Sequence, residues 1–248
     1  MNAELRDGLK QGFLLGAAVL VLAIPPRFAP PPATHVARIG AAAAPARAVL
    51  QRRLDFAGQT PSPEAREVAQ WVVDSADNGD RSFAILDKRH ARVYVFEPSG
   101  LLAGATPVLL GYAAGDDSVP GIGQRPIDQV RPEERTTPAG RFVAEPGRNA
   151  LHEEVVWVDY AAAVSMHRVR LTNPAEHRAE RLASPTEADN RISYGCINMP
   201  VPFFENVMWP RFRAQGGNVY VLPEVKPLAD VFPALRERLA REAAKLAG

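Results

Sequence analysis

The sequence has a single cysteine, Cys196, among 248 residues. One thiol cannot form an intramolecular disulfide, and it supplies too few sulfur ligands for a cysteine-built zinc site. The remaining uses of such a residue are as a buried apolar side chain or as a nucleophile. The chain also lacks HExxH or paired-cysteine spacing, so we expect no metal site.

The chain also has almost no net charge. Its 29 basic and 28 acidic residues leave a formal charge of +1, and the basic residues are scattered instead of forming a stripe. This pattern gives no electrostatic case for binding nucleic acid. Gly121-Ile122-Gly123 is not a dinucleotide-binding fingerprint, because no third glycine follows at the required spacing. We therefore expect no nucleic-acid partner and no cofactor.

The N-terminus carries an apolar run, Phe13–Ile24, that follows Arg6 and Lys10 and ends at two prolines. The run is shorter than the roughly 20 residues of a membrane-spanning helix and is typical of a secretory signal. Residues 1–24 are therefore predicted to be a signal peptide, and the protein is expected in the periplasm or cell envelope. The alternatives are an uncleaved membrane anchor, which would attach the protein to the membrane, and a buried N-terminal helix.

Composition and periodicity divide the rest of the chain. Residues 25–60 are rich in proline and alanine and predict a linker, or an ordered strap if the domain binds it. Segment 61–81 predicts a helix, since Ser62-Pro63-Glu64 supplies a cap, a first-turn proline and an acid. Residues 82–223 show strand patterns separated by turns, and 224–248 form an amphipathic helix from about residue 230. The predicted fold is mainly β with flanking helices.

The residues around Cys196 favour a presented thiol. Gly195 suits a tight turn, and Ser193 and Asn198 add short hydrogen-bonding groups on either side. Residues Pro202–Trp209 predict a helix that starts just after the sulfur and ends or kinks at Pro210. The N-terminus of that helix would lower the pKa of the thiol, and the thiolate is the reactive form.

Three stretches resemble one family in the same order. Ser193–Asn198 resembles the cysteine signature of the L,D-transpeptidase catalytic domain (YkuD-like), whose members cross-link peptidoglycan in the cell wall. Thr137–Phe142 resembles the TPxGxF segment of that family, and Phe83–Phe96 resembles its opening hairpin. The resemblance covers residues 82–223 and departs at Tyr194, where the family has histidine.

The resemblance implies a β-sandwich or barrel domain in which Cys196 forms a thioester with a peptidoglycan stem peptide. Backbone N–H groups of Gly195 and Cys196 would stabilise the oxyanion, with Ser193 and Asn198 beside the substrate. The Tyr194 hydroxyl would donate a hydrogen bond, or its ring would cover the sulfur. Hydrolysis by an L,D-carboxypeptidase or amidase remains an alternative to transfer. A non-catalytic wall-binding module with a degenerate site is another, and a redox-sensing thiol without a resolving cysteine is a third.

A cysteine nucleophile needs a base, and histidine is the usual one. His177 stands 19 residues before Cys196, close to the usual spacing of the family, whereas His167 stands 29 residues before it. His167 nevertheless ends a stretch that resembles the strand leading to the catalytic histidine, and it shares a face of that strand with Ser165. A helical insertion beginning at Asn173 accounts for the extra separation. We therefore predict His167 as the base, with His177 as the alternative.

Several arginines lie near the predicted site in sequence, at positions 168, 170, 178, 181 and 191. Guanidinium groups bind carboxylates, which stem peptides carry. The alternative is a solvated helix whose own acidic residues pair with the arginines. Only Arg191 is predicted to face the site. The resemblance also implies that a backbone carbonyl, here that of Arg168, orients the imidazole.

Overall fold

The computed structural model describes residues 51–246, and this part of the chain is mostly β-structure with a few helices. The predicted signal peptide, residues 1–24, and most of the predicted linker lie outside the described residues. No helix within 51–246 is long and apolar enough to cross a membrane.

Ten strands form the framework of the described residues. They are β1 (Phe83–Asp87), β2 (Arg92–Phe96), β3 (Leu102–Pro107), β4 (Leu110–Gly111), β5 (Gly140–Arg148), β6 (Glu154–Asp159), β7 (Val164–Arg168), β8 (Arg191–Ser193), β9 (Ile197–Met199) and β10 (Gly217–Val221). The helices are α1 (Pro63–Ser75), α2 (Arg178–Ala183), α3 (Val201–Phe203), α4 (Trp209–Phe212), α5 (Leu228–Val231) and α6 (Pro233–Leu246).

Eight of the strands form one sheet in the order β3-β2-β1-β10-β5-β6-β7-β9. The two edges approach each other, because Leu109, just after β3, exchanges two backbone hydrogen bonds of 2.8 and 2.9 Å with Asn198 in β9. The short strands β4 and β8 pair in parallel beside this junction. The sheet is therefore nearly closed, and β7 and β9 lie side by side where its edges meet.

The two faces of the sheet pack into two separate apolar clusters. In β1, Ala84 and Leu86 point into the interior cluster, whereas Phe83 and Ile85 point outward to the layer that contains α1. All five residues of β1 are buried, which is the pattern of a strand covered on both faces. Burial of such a large apolar side chain stabilises the fold by about 1.5–3 kcal/mol.

The stretch just before α1 is bound to the domain. Asp55 forms a β-bridge with Leu101, and the Phe56 ring packs edge-on against Tyr94 and Phe96 at 5.5 and 5.2 Å. Residues 52–56, at the end of the segment predicted as a linker or strap, are therefore held against the domain. The Ser62 side chain then accepts a hydrogen bond from the N–H of Ala65 and caps α1.

The helix after the cysteine differs from its prediction. Strand β9 separates Cys196 from α3, so the helix does not start just after the sulfur. It also does not end at Pro210, since a π-helical turn, Phe204–Met208, leads directly into α4. Proline has no N–H to donate, and it is tolerated in the first turn that follows the π-helical segment.

Two other predicted helices are divided. The insertion after β7 consists of a 3₁₀ turn, Pro174–Glu176, and the separate helix α2, with His177 between them at φ 49°. The C-terminal region predicted as one helix from about residue 230 consists of α5 and α6, which Phe232 separates. Pro233 follows Phe232, and a residue before proline is disfavoured in helical backbone, which accounts for the break; the Phe232 ring is buried in the outer cluster beside α1.

Candidate active site

Two parallel strands place the candidate site residues on one face. In the pairing of β7 with β9, Met166 lies opposite Ile197 and His167 lies opposite Asn198. Met166 and Ile197 are fully buried in the interior cluster. Because side chains alternate along a strand, His167 and Asn198 share the opposite face, and Cys196 is on that face as well. The alternation that predicted the position of His167 is present in β7.

Polar groups surround the Cys196 sulfur. Its Sγ atom is 3.7 Å from Ser165 Oγ and 3.5 Å from the carbonyl oxygen of Ala163. Burial raises the pKa of the Cys196 thiol, but the hydrogen bond and charge of His167, together with hydrogen bonds from Ser165, bring that pKa below its ordinary value. The imidazole thus supplies the effect that the sequence argument attributed to a helix N-terminus.

The hydrogen bonds of His167 define which ring nitrogen carries the hydrogen and which holds the lone pair. Nδ1 is 2.8 Å from the carbonyl oxygen of Arg168, the contact implied by the family resemblance. A carbonyl oxygen only accepts hydrogen bonds, so Nδ1 carries the hydrogen. Nε2 therefore holds the lone pair of the neutral ring, and it lies 3.2 Å from Asn198 Nδ2. In this tautomer Nε2 is the atom that can take a proton from a thiol.

A tight turn joins β8 to Cys196. The hydroxyl of Ser193 donates to the carbonyl oxygen of Cys196 at 2.6 Å, and the N–H of Gly195 donates to the same hydroxyl at 3.1 Å. The N–H of Gly195, which was predicted to stabilise an oxyanion, is therefore already engaged. The N–H of Cys196 has no acceptor among the described residues, so it is the donor that remains for this role.

The buried side chain of Thr137 is hydrogen-bonded to this turn. The hydroxyl of Thr137 donates to the carbonyl oxygen of Gly195 at 2.9 Å and accepts from the N–H of Gly111 at 2.9 Å. The carbonyl oxygen of Thr137 accepts in turn from Lys88, whose ammonium group also contacts Asp116 at 2.8 Å. Lys88 was not predicted from the sequence, because a lysine between two predicted strands is normally exposed.

Tyr194 occupies the position where the family has histidine. The guanidinium carbon of Arg135 lies 3.9 Å from the centre of the Tyr194 ring, a cation–π contact. The Tyr194 hydroxyl makes no hydrogen bond with the residues of the described range. The ring forms part of the cavity wall, and among the described residues no acceptor occupies the hydroxyl, so both predicted roles of Tyr194 stay predictions.

Cys196 opens into a cavity of about 330 Å³. Its lining residues are Ile127, His167, Arg170, Thr172, Asn173, Glu176, Arg178, Ser193, Tyr194, Cys196 and Asn198. A second cavity of about 500 Å³ shares His167, Arg170 and Thr172 with the first. The imidazole therefore borders both cavities, and the thiol borders only the smaller one.

Two predicted candidates lie elsewhere. The His177 side chain is 68% exposed at the start of α2, 3.9 Å from Glu180, and it does not line the cavity of Cys196. The prediction that Arg191 faces the site is wrong, because its guanidinium pairs with Glu224 and donates to the carbonyl oxygen of Lys88 at 3.1 Å. Residues 51–246 also contain no group of three or more His, Cys, Asp or Glu residues that could hold a metal ion.

Comparisons with known proteins identify no family for the chain. No protein-family model matches it, and no curated protein sequence matches it. The solved structures that overlap with it distantly include the following two. One is a mutant of the helical cell shape determining protein Pgp2 from Campylobacter jejuni, with 12% identity, a TM-score of 0.39 and coverage of 75% of this chain and 65% of that chain. The other is the catalytic domain of an E. faecium L,D-transpeptidase, with 15% identity, a TM-score of 0.32 and coverage of 58% and 98%.

The chain thus spans slightly less than two thirds of the Pgp2 structure that it matches. Overlaps with TM-scores this low carry no functional argument. Any proposal about function therefore depends on the motifs and the geometry around Cys196.

Proposed function

We propose that this chain is a cysteine acyltransferase of the L,D-transpeptidase type that acts on peptidoglycan stem peptides. The observation that carries the proposal is the arrangement of the Cys196 thiol, the His167 imidazole and the Arg168 carbonyl oxygen where β7 pairs with β9. The Cys196 thiol and the His167 imidazole line the same cavity, His167 lowers the pKa of that thiol, and Nδ1 of His167 is oriented by the carbonyl oxygen of Arg168. A nucleophile, a base and a group that orients the base are the requirements for acyl transfer through a thiol.

In the first step, Nε2 of His167 accepts the proton of the Cys196 thiol. The thiolate then attacks the carbonyl carbon of the amide after the diamino acid of a stem peptide, and a C–S bond forms. The N–H of Cys196 donates to the resulting oxyanion. Collapse of this intermediate breaks the C–N bond, and the departing terminal D-amino acid takes the proton back from His167. The product is a thioester on Cys196.

In the second step, an acceptor replaces the sulfur. An amine of another stem gives a proton to His167 and attacks the thioester carbonyl, which forms a new amide and returns the proton to Cys196. Water in place of the amine gives hydrolysis, the reaction of an L,D-carboxypeptidase or amidase. Both reactions pass through the same thioester, so the acceptor alone distinguishes them.

The cavity beside the thiol has charges that suit a stem peptide. Arg170 and Arg178 line it together with Glu176. Guanidinium groups bind carboxylates in a bidentate fork, and stem peptides carry carboxylates. A peptidoglycan substrate also agrees with the export predicted from residues 1–24, which would place the enzyme in the periplasm or cell envelope.

One observation favours a second candidate, a wall-binding module without catalysis. The N–H of Gly195 is engaged by Ser193, and Tyr194 is packed against Arg135. The first feature removes one predicted donor to an oxyanion, and the second holds the Tyr194 ring in the cavity wall. This candidate retains a groove for stem peptides but forms no covalent adduct.

Intact-mass measurement after incubation with a tetrapeptide stem tests the proposal. We expect the mass of the protein to rise by that of the stem acyl group without its terminal D-amino acid, with the adduct on Cys196. Cys196→Ala and His167→Gln should show no adduct, whereas His177→Gln should form it at the wild-type rate. Stem-peptide binding without any adduct would overturn the proposal in favour of the non-catalytic module.

A further inference from the structure

The segment inserted between β7 and β8 reaches the site through one side chain. Nη1 of Arg178, the first residue of α2, donates a hydrogen bond to Oδ1 of Asn198. The Arg178 side chain is only 14% exposed, and it also pairs with Glu176 of the same segment. Arg178 is thus bound to both Asn198 and Glu176. Asn198 in turn contacts the His167 imidazole, so it links Arg178 to that ring.

The contact with Arg178 determines the orientation of the Asn198 amide. A guanidinium has only donors, so the amide atom that faces it must be the oxygen. The amide nitrogen then points the other way, where it lies 3.2 Å from His167 Nε2 and 3.4 Å from the carbonyl oxygen of Cys196. Both of these atoms accept hydrogen bonds, so every partner in the network agrees with this orientation.

This orientation affects proton transfer from Cys196. When Nε2 of His167 takes the thiol proton, its lone pair no longer accepts from the amide N–H₂ of Asn198, and this buried donor loses its partner in the imidazole. Rotation of the amide by half a turn would present its oxygen instead, but that rotation breaks the hydrogen bond from Arg178. An unsatisfied buried donor is costly, so the network favours the uncharged thiol and imidazole.

We propose that Arg178 is a positioning residue that acts through Asn198 to limit formation of the thiolate–imidazolium pair. The consequence is a thiol that is less exposed to oxidation before substrate binds, since oxidation follows thiolate character. The inference rests on the proposed function only in taking Cys196 as the nucleophile. The other charged groups facing the cavity are Arg170 and Glu176, and Arg135 covers Tyr194 at its edge.

The rate of Cys196 alkylation by iodoacetamide, measured against pH, tests the inference. Arg178→Met removes both the charge and the hydrogen-bond donor, whereas Arg178→Gln removes the charge and keeps a donor. We expect Arg178→Met to lower the apparent pKa of the thiol by about one unit, the scale of one hydrogen bond, and to speed alkylation at neutral pH severalfold. Arg178→Gln should not speed alkylation.

The sign of the change separates this role from simple electrostatics. Loss of a nearby cation destabilises a thiolate, so a purely electrostatic role predicts slower alkylation in both variants. Equal or slower alkylation in Arg178→Met than in the wild type would overturn the inference, as would identical profiles for the two variants. These outcomes are independent of whether a stem peptide acylates Cys196.

Arg181→Met is the matched control. Arg181 anchors the same segment by donating to the carbonyl oxygens of Glu176 and Asp189 at 2.9 and 2.8 Å, and these bonds do not involve Asn198. Its alkylation profile should match the wild type. If it instead matches Arg178→Met, the effect belongs to a loosened segment, and the inference is wrong.

Discussion

Gly195 and Thr136 approach so closely that a Cβ atom on Gly195 would lie 2.7 Å from the carbonyl oxygen of Thr136. The backbone of Gly195 also has a φ of +124°, a conformation that side chains disfavour. The turn that presents Cys196 therefore depends on glycine for two independent reasons. Both concern the backbone, and neither requires Gly195 to contact a substrate.

Substitution of Gly195 by alanine should displace the turn. We expect Gly195→Ala to lower the free energy of unfolding by about 1–3 kcal/mol, the range for a strained backbone position, and to abolish alkylation of Cys196 at neutral pH. Gly121→Ala is the control, because Gly121 has a φ of +74° but nothing within 4 Å of an added Cβ. Chemical denaturation and alkylation of both variants give the comparison, and similar losses in the two would contradict the argument from close approach.

Lys88 is far from Cys196 in sequence, but it binds Thr137, the residue that is hydrogen-bonded to the turn before the thiol. Its ammonium group is fully buried, 2.8 Å from both Asp116 and the carbonyl oxygen of Thr137, and 3.4 Å from Glu224. Lys88→Met would leave buried carboxylates without their cation. We expect a loss of about 3–5 kcal/mol in thermal or urea unfolding, as for other buried ion pairs broken on one side.

The control for Lys88 is Lys226, which pairs with Asp117 at the surface. Lys226→Met should cost no more than about 1 kcal/mol, because exposed ion pairs contribute little. Comparable losses of stability in the two variants would show that burial does not make the Lys88 ion pairs more stabilising than a surface pair.

The lowered pKa of Asp116 predicts that the free energy of unfolding falls in acid. Burial raises the pKa of Asp116, but hydrogen bonds from the N–H of Lys226, from Lys88 and from the N–H groups of Glu224 and Val225 lower that pKa from 3.8 to about 2. A carboxyl with a lowered folded-state pKa stabilises the protein above its unfolded pKa, and this contribution is lost as the pH falls through the folded pKa. The contribution of about 2 kcal/mol should therefore disappear between about pH 4 and pH 2.

Urea unfolding at a series of pH values measures this effect. The wild type should lose more stability than Asp116→Asn between about pH 4 and pH 2, because asparagine does not titrate. Glu134 has a pKa of about 2 as well, owing chiefly to hydrogen bonds from Arg131, and it contributes equally in both proteins. Parallel curves for the two proteins would show that Asp116 is not responsible.

Local patterns predicted much of the region around the thiol. The alternation Val164-Ser165-Met166-His167 predicted which side chains of β7 enter the core, and the structure has that arrangement. Such patterns succeed because burial of one face of a strand decides the register. The predicted cap at Ser62 and the proline at the start of α1 are also present.

These local patterns could not predict features that depend on residues far apart in the sequence. Arg191 turns away from the site because Glu224, 33 residues later, provides its partner. Lys88 is buried because acceptors from 27 to 49 residues away converge on it. The engagement of the Gly195 N–H by Ser193 depends on distances that only the folded turn defines. Such contacts arise from tertiary packing, which composition and periodicity do not encode locally.

Titration of the Cys196 thiol is the most direct test of the central claim that His167 activates it. Absorbance of the thiolate against pH, in the wild type and in His167→Gln, measures the pKa with and without the imidazole. We predict a wild-type pKa below the ordinary value for cysteine and a pKa at least about one unit higher in His167→Gln, with His177→Gln unchanged. An ordinary wild-type value that His167→Gln leaves unchanged would contradict the account.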